Sequence, residues 1–192
     1  MANTFLVTGA TGGLGRDYND PNSLEKAFSG VERLFFVSSS TFNNEQRIRQ
    51  HANVIAAAKK VGVGQVYYSS LAFGGYESNS KVDVRQAHLK TEQLLQESGI
   101  SYTSVREGIY ADCFPVLMNW YPSSTEVLLP ADGPIAFASR AELAEATAQL
   151  RLKEPPTEDR VLLTGPRTHS LADLVKIMQR VTGKELRTED VS

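Results

Sequence analysis

An apolar run, Phe5-Leu6-Val7-Thr8, opens into Gly9-x-x-Gly12-x-x-Gly15. Glycines at this spacing let the main chain approach a pyrophosphate and aim N–H groups at it. Placed at the end of a first strand, the pattern is that of a dinucleotide-binding turn. Such a turn opens a helix, and a second strand then carries the residue that reads the adenosine ribose. Here Arg16-Asp17-Tyr18-Asn19-Asp20-Pro21 follows at once. The phosphate cradle is written out, and the segment that would complete it is absent.

Other residues able to do chemistry fall at the ends of apolar runs. In an open α/β sheet, ligands lie across the carboxyl ends of the strands. Those ends are 9–15, Ser38-Ser39-Ser40, Ser69-Ser70-Leu71 and 107–110. His88 titrates near neutrality and can donate a hydrogen bond to a ribose hydroxyl or a carbonyl. Ser69 and Ser70 can polarise a carbonyl or serve as backbone partners. His51 and His169 stand alone, with no metal-site spacing around them. Cys113, in Ala-Asp-Cys-Phe-Pro, has no nearby base and reads as buried packing rather than as a nucleophile.

The elements that must position these residues alternate. Strands are expected over 4–8, 33–40, 65–71, 102–109, 135–138 and 160–164, with a further start at 185–191. Helices are expected over 21–29, 44–61, 82–98, 140–152 and 171–182. Asp20, Ser139 and Ser170 serve as amino-terminal caps, Glu142 sits three residues after Ser139, and Gly30, Gly62 and Gly99 act as stops. Residues 111–134 read as irregular and 72–80 as a loop. Several strands are apolar throughout, which is the pattern of a mostly parallel sheet covered by helices on both faces.

The chain has 192 residues, of which 41% are apolar, and this suffices for one domain spanning 1–192. A net charge of −2 with scattered Lys and Arg argues against nucleic acid or an anionic membrane as partner. A single cysteine allows no disulfide framework. No apolar stretch approaches a membrane span or a signal sequence. The expected location is the cytoplasm.

Thr8-Gly9-Ala10-Thr11-Gly12-Gly13-Leu14-Gly15 resembles the cofactor turn of the NmrA-like proteins, an atypical branch of the short-chain dehydrogenase/reductases. Asp17-Tyr18, with Pro21-x-Ser-Leu24-x-x-Ala27-Phe28-x-Gly30-Val31, resembles the stretch after that family's third strand. Phe35-Phe36-Val37-Ser38-Ser39-Ser40 and Tyr68-Ser69-Ser70 resemble its fourth and fifth strands. The run from His88 through Thr91-Glu92, Leu95, Ser98-Gly99-Ile100 and Tyr102-Thr103 to Arg106 resembles its quinone reductases. Ala138-Ser139-Arg140-x-x-Leu143-Ala144 resembles its late helix entry.

The resemblance implies a Rossmann-like sheet, with NADP(H) in preference to NAD(H). It implies reduction of a quinone or small carbonyl compound, or else redox sensing without turnover through a protein partner. By position, Gly9, Thr11, Gly12, Leu14 and Gly15 would hold the pyrophosphate. Asp17 and Tyr18 would flank the adenine, and Ser38 and Ser39 would line the ribose. Tyr68 and Ser69 would lie under the nicotinamide, with Tyr110 near it or the substrate. His88, Tyr110 and Ser69 are the catalytic candidates.

Two departures stand out. Between Gly15 and Asp17 the family carries a helix, a strand, a second helix and a third strand, roughly 45 residues. Their loss should leave the first strand's edge open and weaken dinucleotide binding, as in a shortened family member. The Tyr-x-x-x-Lys pair of typical short-chain dehydrogenases is replaced by Val84 and His88.

Overall fold

Apolar segments bounded by glycines and capping side chains set the architecture, which a computed structural model describes for residues 4–9, 17–73, 82–129, 133–152 and 159–190. In chain order, the elements are β1 (Phe5–Val7), α1 (Pro21–Phe28), β2 (Arg33–Phe36), α2 (Asn44–Val61), β3 (Gln65–Leu71), α3 (Asp83–Ser98) and β4 (Ser101–Glu107). There follow β5 (Ile109–Tyr110), α4 (Phe114–Leu117), β6 (Glu126–Leu129), β7 (Phe137–Ala138), α5 (Arg140–Leu152), β8 (Arg160–Leu163), α6 (Leu171–Thr182) and β9 (Arg187–Asp190). The chain divides into two compact units, Met1–Glu107 with Lys153–Leu162, and Gly108–Leu152 with Leu163–Ser192.

The first unit is built on the sheet β1-β2-β3-β4-β8, with β1 to β4 mutually parallel. Its register sets Phe36 beside Tyr68 and Tyr68 beside Ser104, so these side chains share one face. Leu24 and Phe28 of α1, Val54, Ile55 and Ala58 of α2, and Leu95 of α3 pack with Leu34, Phe36, Val66 and Tyr68 into one core. Asp20 caps α1 through the amides of Asn22 and Ser23, and Gly62 and Gly99 close α2 and α3 in left-handed conformations. Among the described residues, β1 stands at the sheet edge with Val7 exposed, the open first-strand edge expected from the sequence.

β2 is shorter than the expected 33–40, and the cause is local. Beyond Phe36, side chains replace ladder partners. The Val37 amide donates to Thr8 Oγ1 (3.0 Å), that of Ser38 to Ser69 Oγ (2.8 Å), and that of Ser39 to His51 Nε2 (3.0 Å). The backbone leaves the sheet with its donors satisfied. The strand expected over 102–109 is likewise split at Gly108, whose amide turns to the Leu163 carbonyl (2.8 Å).

In the second unit, Met118, Val127, Leu171, Val175, Met178 and Leu186 form the core. Residues 111–134 are not wholly irregular, since they contain α4 and β6, and β6 pairs with β9 in parallel. A four-residue strand between prolines carries too little periodicity to be read. Ser139–Glu142 and Ser170–Asp173 form reciprocal caps for α5 and α6. Cys113 is half-buried rather than buried. Among the described residues, no helix is long and apolar enough to cross a membrane.

Candidate active site

The carboxyl ends of β1, β2 and β3 gather the site of the first unit. Gly9 is the described member of the glycine turn; Thr11, Gly12, Leu14 and Gly15 lie outside the described residues. Gly9 has φ +71°, and a Cβ there would lie 3.0 Å from Val37 Cβ, so only glycine lets the chain turn over the end of β2.

Asp17 makes a local turn, its carboxylate accepting the Asn19 amide at 2.8 Å. The Tyr18 hydroxyl lies 2.7 Å from Thr8 Oγ1 and 2.9 Å from the Val37 carbonyl, and its ring meets Phe36 edge-on. Thr8 Oγ1 also takes the Val37 amide, so Thr8 and Tyr18 together latch β1 to β2. Tyr18 thus spends its hydroxyl on structure, and burial pushes its phenol up.

Ser38 and Ser39 are half-buried where β2 leaves the sheet. Ser39 Oγ donates to Gln50 Oε1 (2.5 Å), and Arg47 Nε reaches the Ser39 carbonyl (3.2 Å). Ser69 Oγ accepts the Ser38 amide, the backbone-partner role open to a strand-end serine.

Beneath this turn lies a buried polar layer. His51 Nε2 accepts the Ser39 amide, so the ring proton sits on Nδ1 and goes to Thr91 Oγ1 (2.7 Å). Thr91 passes its own hydrogen to the Ala87 carbonyl (2.8 Å). The chain of donors is consistent only with neutral His51. Burial, with His88 and Arg47 nearby, pushes its pKa down to about 3.

Tyr68, fully buried, pairs through its hydroxyl with His88 Nδ1 at 2.7 Å, the rings stacked at 5.7 Å. Burial pushes the phenol well up, and burial with Arg47 and Arg85 pushes His88 down to about 3. Burial, with Arg47 and Arg85 nearby, thus favours the neutral imidazole of His88, which is 4% exposed and paired with the Tyr68 hydroxyl, over the charged form that acid work near neutrality would use.

Next to it, Glu92 takes Arg106 on both oxygens (Nε to Oε1 3.0 Å, Nη2 to Oε2 2.6 Å), with Ser70 Oγ at 2.6 Å and Ser104 Oγ at 2.8 Å. Burial would raise the carboxyl's pKa. Arg106, Ser70 and Ser104 outweigh it and hold the group below its ordinary range. Arg85 Nη1 lies 3.6 Å from the same carboxylate, while its Nε and Nη2 are buried without a hydrogen-bond partner among the described residues.

Tyr110 belongs to the second unit, where its pairing with Ala138 holds it half-buried. Sequence reasoning overlooked Thr8, His51, Thr91 and Arg47 as supports of the site. The available signal was His51 sharing the buried face of α2 with Val54, Ile55 and Ala58.

This is an open parallel sheet with a glycine turn on its first strand and polar groups at the next two strand ends, the layout of a dinucleotide-binding protein. The model of the NmrA-like family matches residues 1–192, and the chain belongs to that family. It is 44% identical over 178 residues to the NmrA-like family domain-containing oxidoreductase flvB of Aspergillus flavus, covering 92% of this chain and 58% of that protein. It is 35% identical over 181 residues to quinone oxidoreductase 2 of Escherichia coli, covering 92% of this chain and 60% of that one. The chain thus spans about three fifths of the length of these curated relatives. The crystal structure of Citrobacter sp. triphenylmethane reductase complexed with NADP(H) superposes with a TM-score of 0.84 at 28% identity, over 98% of this chain and 79% of that one.

Proposed function

We propose that this chain is an NADP(H)-dependent oxidoreductase that reduces a quinone or small carbonyl compound. The observation that carries the reading is the collection of satisfied, pre-positioned polar groups at the ends of β1, β2 and β3, in a fold shared along 98% of the chain with an NADP(H)-complexed reductase. NAD(H) is the alternative donor. Residues 1–192 would act as one NAD(P)-binding domain, which the family match over the same residues supports. The lone cysteine favours a reducing, cytoplasmic setting.

In this reading Gly9, Thr11, Gly12, Leu14 and Gly15 cradle the pyrophosphate. Asp17 and Tyr18 border the adenine, with the Tyr18 hydroxyl committed to the latch. Ser38 and Ser39 meet the ribose, and Tyr68 and Ser69 lie on the nicotinamide side. His88 sets the Tyr68 hydroxyl, and Tyr110 is the substrate-side candidate. The bound cofactor supplies the hydride, while the protein binds and orients. His88 is held neutral and no Tyr-Lys pair is present, so the acceptor must take hydride with little proton help. A quinone does so, its reduction balanced by NADPH oxidation and one proton drawn from solvent.

A second reading, a sensor that binds NADP(H) without turnover, draws on the same lack of a proton donor. One experiment separates them. With NADPH and a panel of quinones, protein-dependent loss of the reduced-nicotinamide absorbance supports the oxidoreductase. Saturable NADPH binding without oxidation sinks it and leaves the sensor.

A further inference from the structure

Thr41 and Asn43 are tied down, yet the residue between them is displayed. Arg47, 6% exposed, donates from Nε to the Ser39 carbonyl, from Nη2 to the Thr41 carbonyl and from Nη1 to Asn44 Oδ1. Thr41 Oγ1 accepts the Asn43 amide (3.2 Å) and donates to Gln46 Oε1 (3.1 Å), while Asn43 caps α2 through the Gln46 amide (2.8 Å). Between these anchors the Phe42 side chain is 100% exposed. Single exposed apolar residues are ordinary on a surface. This one differs in two respects. Its backbone is fixed from both sides, and it stands three residues beyond Ser39, on the loop that leaves the carboxyl end of β2.

A second exposed apolar residue lies on the same rim. Asn44 Nδ2 donates to the Asp83 carbonyl at 2.9 Å, joining the amino ends of α2 and α3. Val82, immediately before α3, is 50% exposed. The rim beside the polar strand ends therefore offers an aromatic face and an aliphatic neighbour on a framework that needs no ordering when a ligand arrives.

We propose that Phe42 is a specificity-determining residue that stacks on the planar ring of the hydride acceptor, with Val82 at the edge of the same apolar lip. The proposal rests on the oxidoreductase reading for the acceptor's class and goes beyond it in naming the residue that selects a flat, conjugated acceptor over an aliphatic carbonyl. A backbone anchored on both sides of Phe42 loses little freedom when the ring stacks, and an offset aromatic contact adds to the area it buries. Because the Phe42 side chain is fully exposed, its replacement should leave the fold intact.

The test compares wild type with Phe42→Ala and Phe42→Trp, using menadione as a planar acceptor and an aliphatic dione as control. The expected result for Phe42→Ala is a KM for menadione raised about threefold to tenfold, with kcat, NADPH affinity, unfolding midpoint and the aliphatic KM unchanged. Phe42→Trp should restore the wild-type KM. An unchanged menadione KM in Phe42→Ala, beside an active wild type, overturns the proposal and leaves the oxidoreductase reading standing. If the wild type oxidises no NADPH, that reading has failed. Phe42 is then judged by equilibrium binding of menadione in the presence of NADPH: weaker binding by Phe42→Ala supports it, and equal or undetectable binding by both proteins overturns it.

Discussion

Lowering the pH from 7 to 5 should destabilise this protein through two histidines, and the size of the effect follows from their surroundings. His51 and His88 are buried and held neutral, each pushed down to about 3, chiefly by burial. An unfolded imidazole titrates near ~6.5. The folded pKa lies below the unfolded one, so the stability each residue contributes is complete above ~6.5 and drains away as pH falls toward 3. At pH 5 the unfolded chain gains RT ln(1 + 10^1.5), about 2 kcal/mol per histidine, while the folded chain gains almost nothing. Together the two cost about 4 kcal/mol, much of a typical domain's stability of ~5–15 kcal/mol. The figure barely changes if either folded value is a unit higher. Ordinary carboxylates remain charged in this window, so Glu92 does not obscure it. The structural reason is specific: protonated His51 could no longer accept the Ser39 amide at Nε2. Urea unfolding followed by circular dichroism at pH 7, 6 and 5 measures the slope, with His51→Gln as control. The glutamine can both accept and donate, so its pH slope should halve. A midpoint flat between pH 7 and 5, or a His51→Gln slope equal to wild type, would refute the reasoning.

Glu92→Gln leaves Arg85 and Arg106 buried without their carboxylate and should cost about 3–5 kcal/mol in urea unfolding. Arg85→Met instead removes a buried cation whose Nε and Nη2 lack partners among the described residues, and should be neutral or stabilising by about 1–3 kcal/mol in the same assay. Tyr18→Phe unlatches β1 from β2 by removing the donor to the Val37 carbonyl. It should lower stability by about 1 kcal/mol and weaken NADPH binding, as measured by calorimetry, because the Ser38–Ser39 turn loses its support.

Long, evenly patterned elements were legible in the sequence. α2, β3, α5 and α6 run over the expected residues; Asn43, Ser139 and Ser170 cap the three helices, and Gly62 and Gly183 close α2 and α6. The end of β2 was not legible. Val37 to Ser39 look like continuing strand, but the groups that take their amides, on Thr8, Ser69 and His51, are 29, 31 and 12 residues away in sequence. Such long-range side-chain capture leaves no periodic trace. The site followed the same division. The glycine turn and the strand-end serines could be read as a ligand edge, whereas the neutral state of His88 depends on Arg47, Arg85 and burial that only folding assembles. Phe42 left no sequence signal, because nothing in its local pattern marks a side chain that the fold leaves fully exposed.

Whether NADPH occupies the strand ends is the claim on which the rest depends, and calorimetric titration of this chain with NADPH, and with NADH for comparison, tests it most directly. The account predicts saturable binding of one NADPH per chain, weaker than micromolar, because among the described residues β1 stands at the sheet edge with no strand on its outer side to read the ribose. NADPH binding at micromolar affinity or tighter would show such a strand to be dispensable. No detectable heat with either nucleotide would contradict the account outright.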